Sequence, residues 1–171
     1  MRYSIGPVPA PETQPSAASL IEQLRLEPHP EGGWYREIHR SGELLQTARG
    51  PRSALTSIYF LLERPQFSRW HVVESDETWH YACGAPLELL VYRPDARQFH
   101  RQVLGPPQGD EVPTGIVRAG EWQAARSLGE YTLVGCDVAP GFDFEDFRFV
   151  AALAGHEAHF RAGLADWAML L

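Results

Sequence analysis

The sequence predicts an all-β fold, an antiparallel barrel or jelly roll preceded by one short helix. Three observations carry that reading. Runs of strand length, rich in β-branched and aromatic residues, recur from residue 31 to residue 149. Gly and Pro turns separate them at short intervals, the pattern of an antiparallel rather than a βαβ architecture. Only one stretch ahead of the C-terminal tail has convincing helical spacing.

The elements follow in order. Residues 1–15 are rich in Pro and poor in large apolar side chains, and read as a loosely docked arm. Residues 16–171 make a single domain, long enough to bury its own core. In SAASLIEQLRLEPHP, Ser16 or Ser19 caps a helix, Leu20, Ile21 and Leu24 form its apolar stripe, and Pro28 stops it. EGGWYREIHR alternates aromatic and charged residues after a Gly-Gly bend. ALTSIYFLLE is a β-branched and aromatic run closed by Pro65. RWHVVES and ETWHYAC are short alternating runs, the second ended by Gly84 and Pro86. LELLVYRP and ARQFHRQVL make a hairpin about Pro94 and Asp95, GPPQGDEVP is a loop, and GIVRAGEWQAAR turns at Gly120. YTLVGCDVAP is a strongly apolar strand. In FDFEDFRFV every Phe falls on one face of a predicted strand, which puts Asp143, Glu145 and Asp146 on its polar side. The tail, AALAGHEAHFRAGLADWAMLL, reads as a helix, or a helix and a last strand, over one barrel mouth. Its His156 and His159 do not have metalloprotease spacing.

Charge and composition exclude several classes. The net charge of -7 and the scattered Arg residues offer nucleic-acid phosphates no landing place. No apolar run approaches the roughly 20 residues of a membrane span, and MRYSIGPVPAPETQPSAAS lacks the apolar core of a signal peptide. The expectation is therefore a cytoplasmic protein with Cys83 and Cys136 reduced, both small core residues.

The most informative stretch is RWHVVESDETWHYACG. On one strand His71, Val73 and Ser75 share a face; on the next Glu77, Trp79, Tyr81 and Cys83 share a face, with His80 on the other. A tight bend at Ser75-Asp76 would let His71 and Glu77 converge on one cavity. An imidazole and a carboxylate suit metal ligation, and equally suit general base work with the carboxylate fixing the tautomer.

The spacing resembles the first motif of the cupin superfamily, with His71 at the first His, Glu77 at the Glu and Gly84 at the final Gly. Val73 stands where that motif has its second His, and Pro65 where it has its first Gly. RAGEWQAARS matches the second motif in part: Gly120 is kept, while Arg118, Gln123 and Ser127 replace the Pro, His and Asn. HPEGGWYRE, SDETWHYACGAPLELL and GEWQAARSLGEYTLVGCDVAPGFDFEDF sharpen the match. Together they are similar to the DUF985, or Cupin_5, family over roughly residues 17–155. The resemblance implies a double-stranded β-helix of the RmlC-like jelly-roll type, commonly a homodimer, but no settled activity, since members have been likened to sugar-nucleotide epimerases mainly by shape.

On that footing the sequence is expected to bind a small polar molecule, such as a sugar, nucleotide sugar or organic acid, in the barrel. Catalysis, if present, is expected to be epimerase or isomerase chemistry with no cofactor. His71 would be the base, Glu77 its partner, and Tyr131 the phenol that returns the proton, a role the resemblance implies. Tyr59, Trp79, Tyr81 and Gln123 are expected to line the pocket, with Arg36 an anion contact beside the Glu31-Gly32-Gly33 bend. One alternative is a metal-dependent dioxygenase or isomerase, in which a divalent transition metal would sit on His71, Glu77 and Gln123. With Val73 silent and an amide in place of an imidazole, that shell is incomplete. The other is a non-catalytic binding or storage protein.

Overall fold

The computed structural model describes residues 14–149. Most of the N-terminal arm and the C-terminal tail, with His156 and His159, lie outside the described residues.

Helix α1 (Ala17–Leu24) starts as predicted, with the Ser16 hydroxyl accepting from the Ser19 N–H at 3.2 Å. It stops before Pro28. Arg25 turns left-handed (φ 53°) and Leu26 N–H closes back on the Ile21 carbonyl at 2.9 Å. No helix among the described residues is long and apolar enough to cross a membrane.

Among the described residues thirteen strands follow: β1 (Glu27–Pro28), β2 (Trp34–Arg40), β3 (Leu44–Thr47), β4 (Gly50–Ser53), β5 (Thr56–Glu63), β6 (Phe67–Val73), β7 (Asp76–Gly84), β8 (Leu87–Arg93), β9 (Gln98–Leu104), β10 (Thr114–Val117), β11 (Trp122–Ser127), β12 (Tyr131–Ala139) and β13 (Phe147–Phe149). They form a six-stranded sheet in the order β1-β2-β5-β12-β7-β10 and a five-stranded sheet in the order β13-β6-β11-β8-β9; β3 and β4 make a separate hairpin. All pairs are antiparallel. Two such sheets face to face, with successive strands crossing between them, are a jelly roll, the double-stranded β-helix that the sequence predicts.

Alternation along the strands sorts side chains into three clusters. Between the sheets lie Phe60, Leu62, Trp79, Leu89, Val91 and Val134. Each such side chain contributes roughly 1.5–3 kcal/mol of apolar burial. Outside the six-stranded sheet, α1 packs Ala17 and Leu20 on Leu61, Tyr131 and Leu133. Outside the five-stranded sheet, Trp70, Tyr92, Phe99 and Trp122 pack together.

Three local readings change. Cys83 does not share the Glu77 face. A β-bulge leaves Ala82 unpaired between Leu133↔Cys83 and Val134↔Tyr81, so Tyr81 stays in the between-sheet core while Cys83 turns to the helix side. FDFEDF is not one strand: Phe144–Asp146 is a 3-10 turn ahead of β13. Phe144 is exposed, whereas Asp146 is buried, with the Arg52 guanidinium donating to it at 2.8 and 3.0 Å and Arg49 3.3 Å away. Arg52 comes from the β3–β4 hairpin, which the sequence reading left unassigned. Both cysteines are free.

Candidate functional site

One end of the space between the sheets is open, leaving a cavity of about 630 Å3. Its floor is built from three segments, the β1–β2 turn, β6 and β7, that bring Glu31, His71, Glu77 and Trp79 together.

Glu31 enters from the turn between β1 and β2. That turn closes through Gly32 N–H to the His29 carbonyl (3.0 Å) and His29 N–H to the Gly33 carbonyl (2.9 Å). Gly32 and Gly33 have φ +112° and +74°, and a Cβ on either would strike the Phe67 or Leu61 carbonyl, so the Gly-Gly pair is what lets the chain dive under β6. The Glu31 carboxyl accepts from the Ser68 hydroxyl at 2.8 Å, and its other oxygen lies 3.4 Å from His71 Nε2 and 3.6 Å from His29 Nδ1.

His71 sits on β6, stacked on the Phe147 ring at 5.2 Å. Its Nδ1 is 2.7 Å from the Arg69 carbonyl. A carbonyl only accepts, so Nδ1 carries the proton and Nε2 keeps its lone pair toward Glu31. Burial lowers the His71 pKa against the opposing pull of Glu77, which keeps the ring neutral.

β6 ends at Val73, the chain turns at Glu74 and Ser75, and β7 begins on the opposite sheet. The predicted bend therefore carries the chain from one sheet to the other, and His71 and Glu77 meet from facing walls. Gln123 on β11 is the register partner of His71 and spans the gap. Its Nε2 donates to Glu77 at 2.6 Å while its Oε1 accepts the Trp79 indole N–H at 3.0 Å. The Cys136 thiol also bonds Glu77.

Burial governs the charges. It raises Glu31 to about 8, against the Ser68 hydrogen bond and the Arg69 charge. It raises Glu77 to about 7, with Glu31's charge adding to the rise and His71 and Gln123 opposing it. It lowers His29 to about 4, with repulsion from His71 adding to the fall. Near neutral pH the imidazoles are uncharged, Glu31 still holds its proton and Glu77 is near its midpoint.

The other predicted site residues divide. Arg36 lines the cavity while leaning over the Tyr59 ring at 5.8 Å. Tyr59 itself lies in the helix-side cluster, away from the cavity. Tyr81 packs in the between-sheet core, its hydroxyl donating to the Gly84 carbonyl at 2.7 Å, and it does not line the cavity. Tyr131 points to the opposite side of its sheet from the cavity, under α1, and its hydroxyl donates to the Pro15 carbonyl at 2.6 Å. A phenol there cannot meet a ligand held by His71. His80 takes the outer face, 3.2 Å from Asp137.

The donor set does not fit a resident metal. Among the described residues no three His, Cys, Asp or Glu side chains group around a point that could hold one. Val73 has no donor atom, and both ends of the Gln123 amide are already engaged.

Sequence reasoning read Glu31 only as part of the bend beside Arg36, whereas it lies in the floor, and it missed His29 and Cys136 as floor residues. The readable signal was a carboxylate directly before two glycines, a sign of a backbone forced into close approach.

Comparison with known proteins agrees with this picture. The Cupin_5 profile, described as "Cupin superfamily (DUF985)", matches residues 18–150. An uncharacterized protein of Saccharomyces cerevisiae, YML079W, is 29% identical over 160 residues, covering 84% of this chain and 79% of its own. The structure of a hypothetical protein from Leishmania major superposes with a TM-score of 0.82 at 32% identity, covering 91% of this chain and 98% of that one. Protein SO0799 from Shewanella oneidensis gives 0.82 at 31% identity, covering 92% and 98%.

Proposed function

Because the chain belongs to the Cupin_5 (DUF985) family of the cupin superfamily, we propose that its barrel cavity binds a small polar molecule and acts on it by metal-independent acid–base chemistry. One observation carries this reading: a neutral imidazole with its lone pair on Nε2 stands beside two buried carboxyls whose pKa values are raised into the neutral range. A neutral base beside an acid that titrates in the neutral range is what enolisation requires.

In this reading His71 Nε2 takes the proton from a carbon next to the ligand's carbonyl. The freed electron pair moves onto the carbonyl oxygen, which takes a proton from the Glu31 or Glu77 carboxyl. The carbonyl then re-forms as a proton returns to carbon, at the neighbouring position for an isomerisation or at the same position from the opposite face for an epimerisation. Nothing is oxidised or reduced overall, so the net change is an isomerisation or epimerisation. Gln123 would hold Glu77 in place, and Trp79 would hold Gln123. The sequence reading gave the acid role to Tyr131; in this scheme a floor carboxyl takes it.

A thermal-shift screen of sugars, nucleotide sugars and organic acids tests binding, and NMR of each hit in deuterium oxide tests chemistry. Carbon-bound protons should exchange with the native protein and not with His71→Ala. Binding that His71→Ala weakens, with no exchange in either protein, would leave a pure binding function. The same reading takes the protein as a cytoplasmic homodimer. A monomer in size-exclusion light scattering would count against that assembly.

A further inference from the structure

Resting on the reading of this cavity as a ligand site, we propose that its ligand carries a protonated amine, received at the floor by Glu31, Glu77 and His71. The argument is an inventory of donors and acceptors. Gln123 has both ends of its amide engaged, the Trp79 N–H is given to Gln123, and the Ser68 hydroxyl is given to Glu31. Once a carboxyl gives up its proton, what the floor presents is mostly acceptors: His71 Nε2, the Glu31 oxygen facing it, and the Glu77 carboxyl. An ammonium group has three donors and no acceptor, and matches that set. A hydroxyl brings acceptor lone pairs that the floor cannot serve equally.

Among the described residues no Arg or Lys lies in the floor. The groups that titrate or carry charge around it are His29, Glu31, His71, Glu77 and Cys136, together with Arg69 behind Glu31. Arg69 faces away, donating to the Pro30 carbonyl and lying 4.2 Å from the Phe149 ring centre. Cavity-lining arginines sit at the rim, among Glu27, Glu37 and Asp143, so the rim does not select a sign. An aromatic wall completes the match. His29 meets Tyr35 edge-on at 4.5 Å and Phe60 at 5.7 Å, and Phe60 meets Trp79 edge-on at 5.7 Å. Aromatic rings attract ammonium groups and tolerate their desolvation.

Binding a cation must draw a proton off the floor, because Glu31 and Glu77 are raised to about 8 and about 7 in the empty site; one of them ionises to pair with the ammonium and the other stays the acid. That provides the test. Matched pairs differing only in the amine are titrated by calorimetry at pH 7: D-glucosamine against D-glucose, and ethanolamine against ethylene glycol. The amine of a pair should bind, release protons in proportion to the buffer's ionisation enthalpy, and bind about 10-fold or more weakly to Glu77→Gln or Glu31→Gln. Both variants replace a buried acid with an amide of its own size, and their unliganded melting temperatures establish that they fold. A hydroxyl partner that binds as tightly as its amine overturns the proposal, as does amine binding without proton release. A hit from the wider screen that carries no basic nitrogen overturns the amine assignment and leaves the binding reading intact. Failure of every compound in the wider screen overturns both.

Discussion

Gln123 and Glu77 lie on different sheets and are joined by a 2.6 Å hydrogen bond from the amide to the carboxyl. The amide can donate there only because its oxygen is already fixed by the Trp79 N–H. Gln123→Leu keeps the volume and leaves two buried polar groups short of partners. It should lower stability by about 2–4 kcal/mol in urea titrations. A loss under about 0.5 kcal/mol would mean that the bridge does not hold the site.

The pH dependence of stability has a definite sign. Glu31 and Glu77 have native pKa values of about 8 and about 7 against an ordinary 4.5, so the native state keeps protons that the unfolded chain gives up. Their contribution falls as pH rises from 4.5 towards 8. His29, lowered to about 4 from 6.5, and His71, also lowered, act oppositely: their burial penalises the fold at low pH and ceases to above 6.5. The two pairs offset each other up to 6.5, above which only the carboxyls act. Stability should decline between pH 6.5 and 8, by on the order of 2 kcal/mol. Glu31→Gln should remove much of that slope. A rise across this window would contradict the burial of the two acids in native form.

Removing the acid of a buried ion pair strands its partner. Asp146→Asn leaves the Arg52 guanidinium with only the exposed Glu145 carboxylate, 3.4 Å away, and should lower the melting temperature at neutral pH. Asp146 is held below its usual pKa by Arg52, so this stabilisation is present above 3.8 and is lost as pH falls through the lowered value. Thermal melts of the parent and variant should therefore converge in acid. A constant gap down to the lowest measurable pH would refute the pairing.

Chelation should leave the protein unaffected. After purification without chelator, elemental analysis should show only background transition metal in the parent and in His71→Ala, and added chelator should not move the melting temperature. A stoichiometric metal in the parent, lost in His71→Ala, would place Glu77 in a coordination shell and displace the metal-independent mechanism.

Much of the fold was legible because strand runs and their Gly/Pro boundaries are local. His71 and Glu77 were legible for a similar reason, since a short bend joins their strands. What failed was non-local. The Phe residues of FDFEDF alternate as in a strand, but Arg52, 94 residues earlier in the chain, captures Asp146 and pulls the backbone into a turn. Tyr131 and Tyr59 lie on real strands, yet their faces are fixed by where α1 packs, which no periodicity reports. Glu31 belongs to a turn, and only the approach of β6 beneath it shows that it is buried.

The bulge at Ala82 gives β7 two phases. Upstream of it Glu77 and Trp79 keep time with the cavity; downstream Cys83 keeps time with the helix. The extra residue works as a phase joint, letting one strand serve two interiors whose alternations do not agree. Deleting Ala82 would force a single rhythm on the whole strand. Either Cys83 would be driven in between the sheets or Glu77 would be turned out to the α1 side, so the loss of one exposed methyl-bearing residue would reach the floor of the site five positions away.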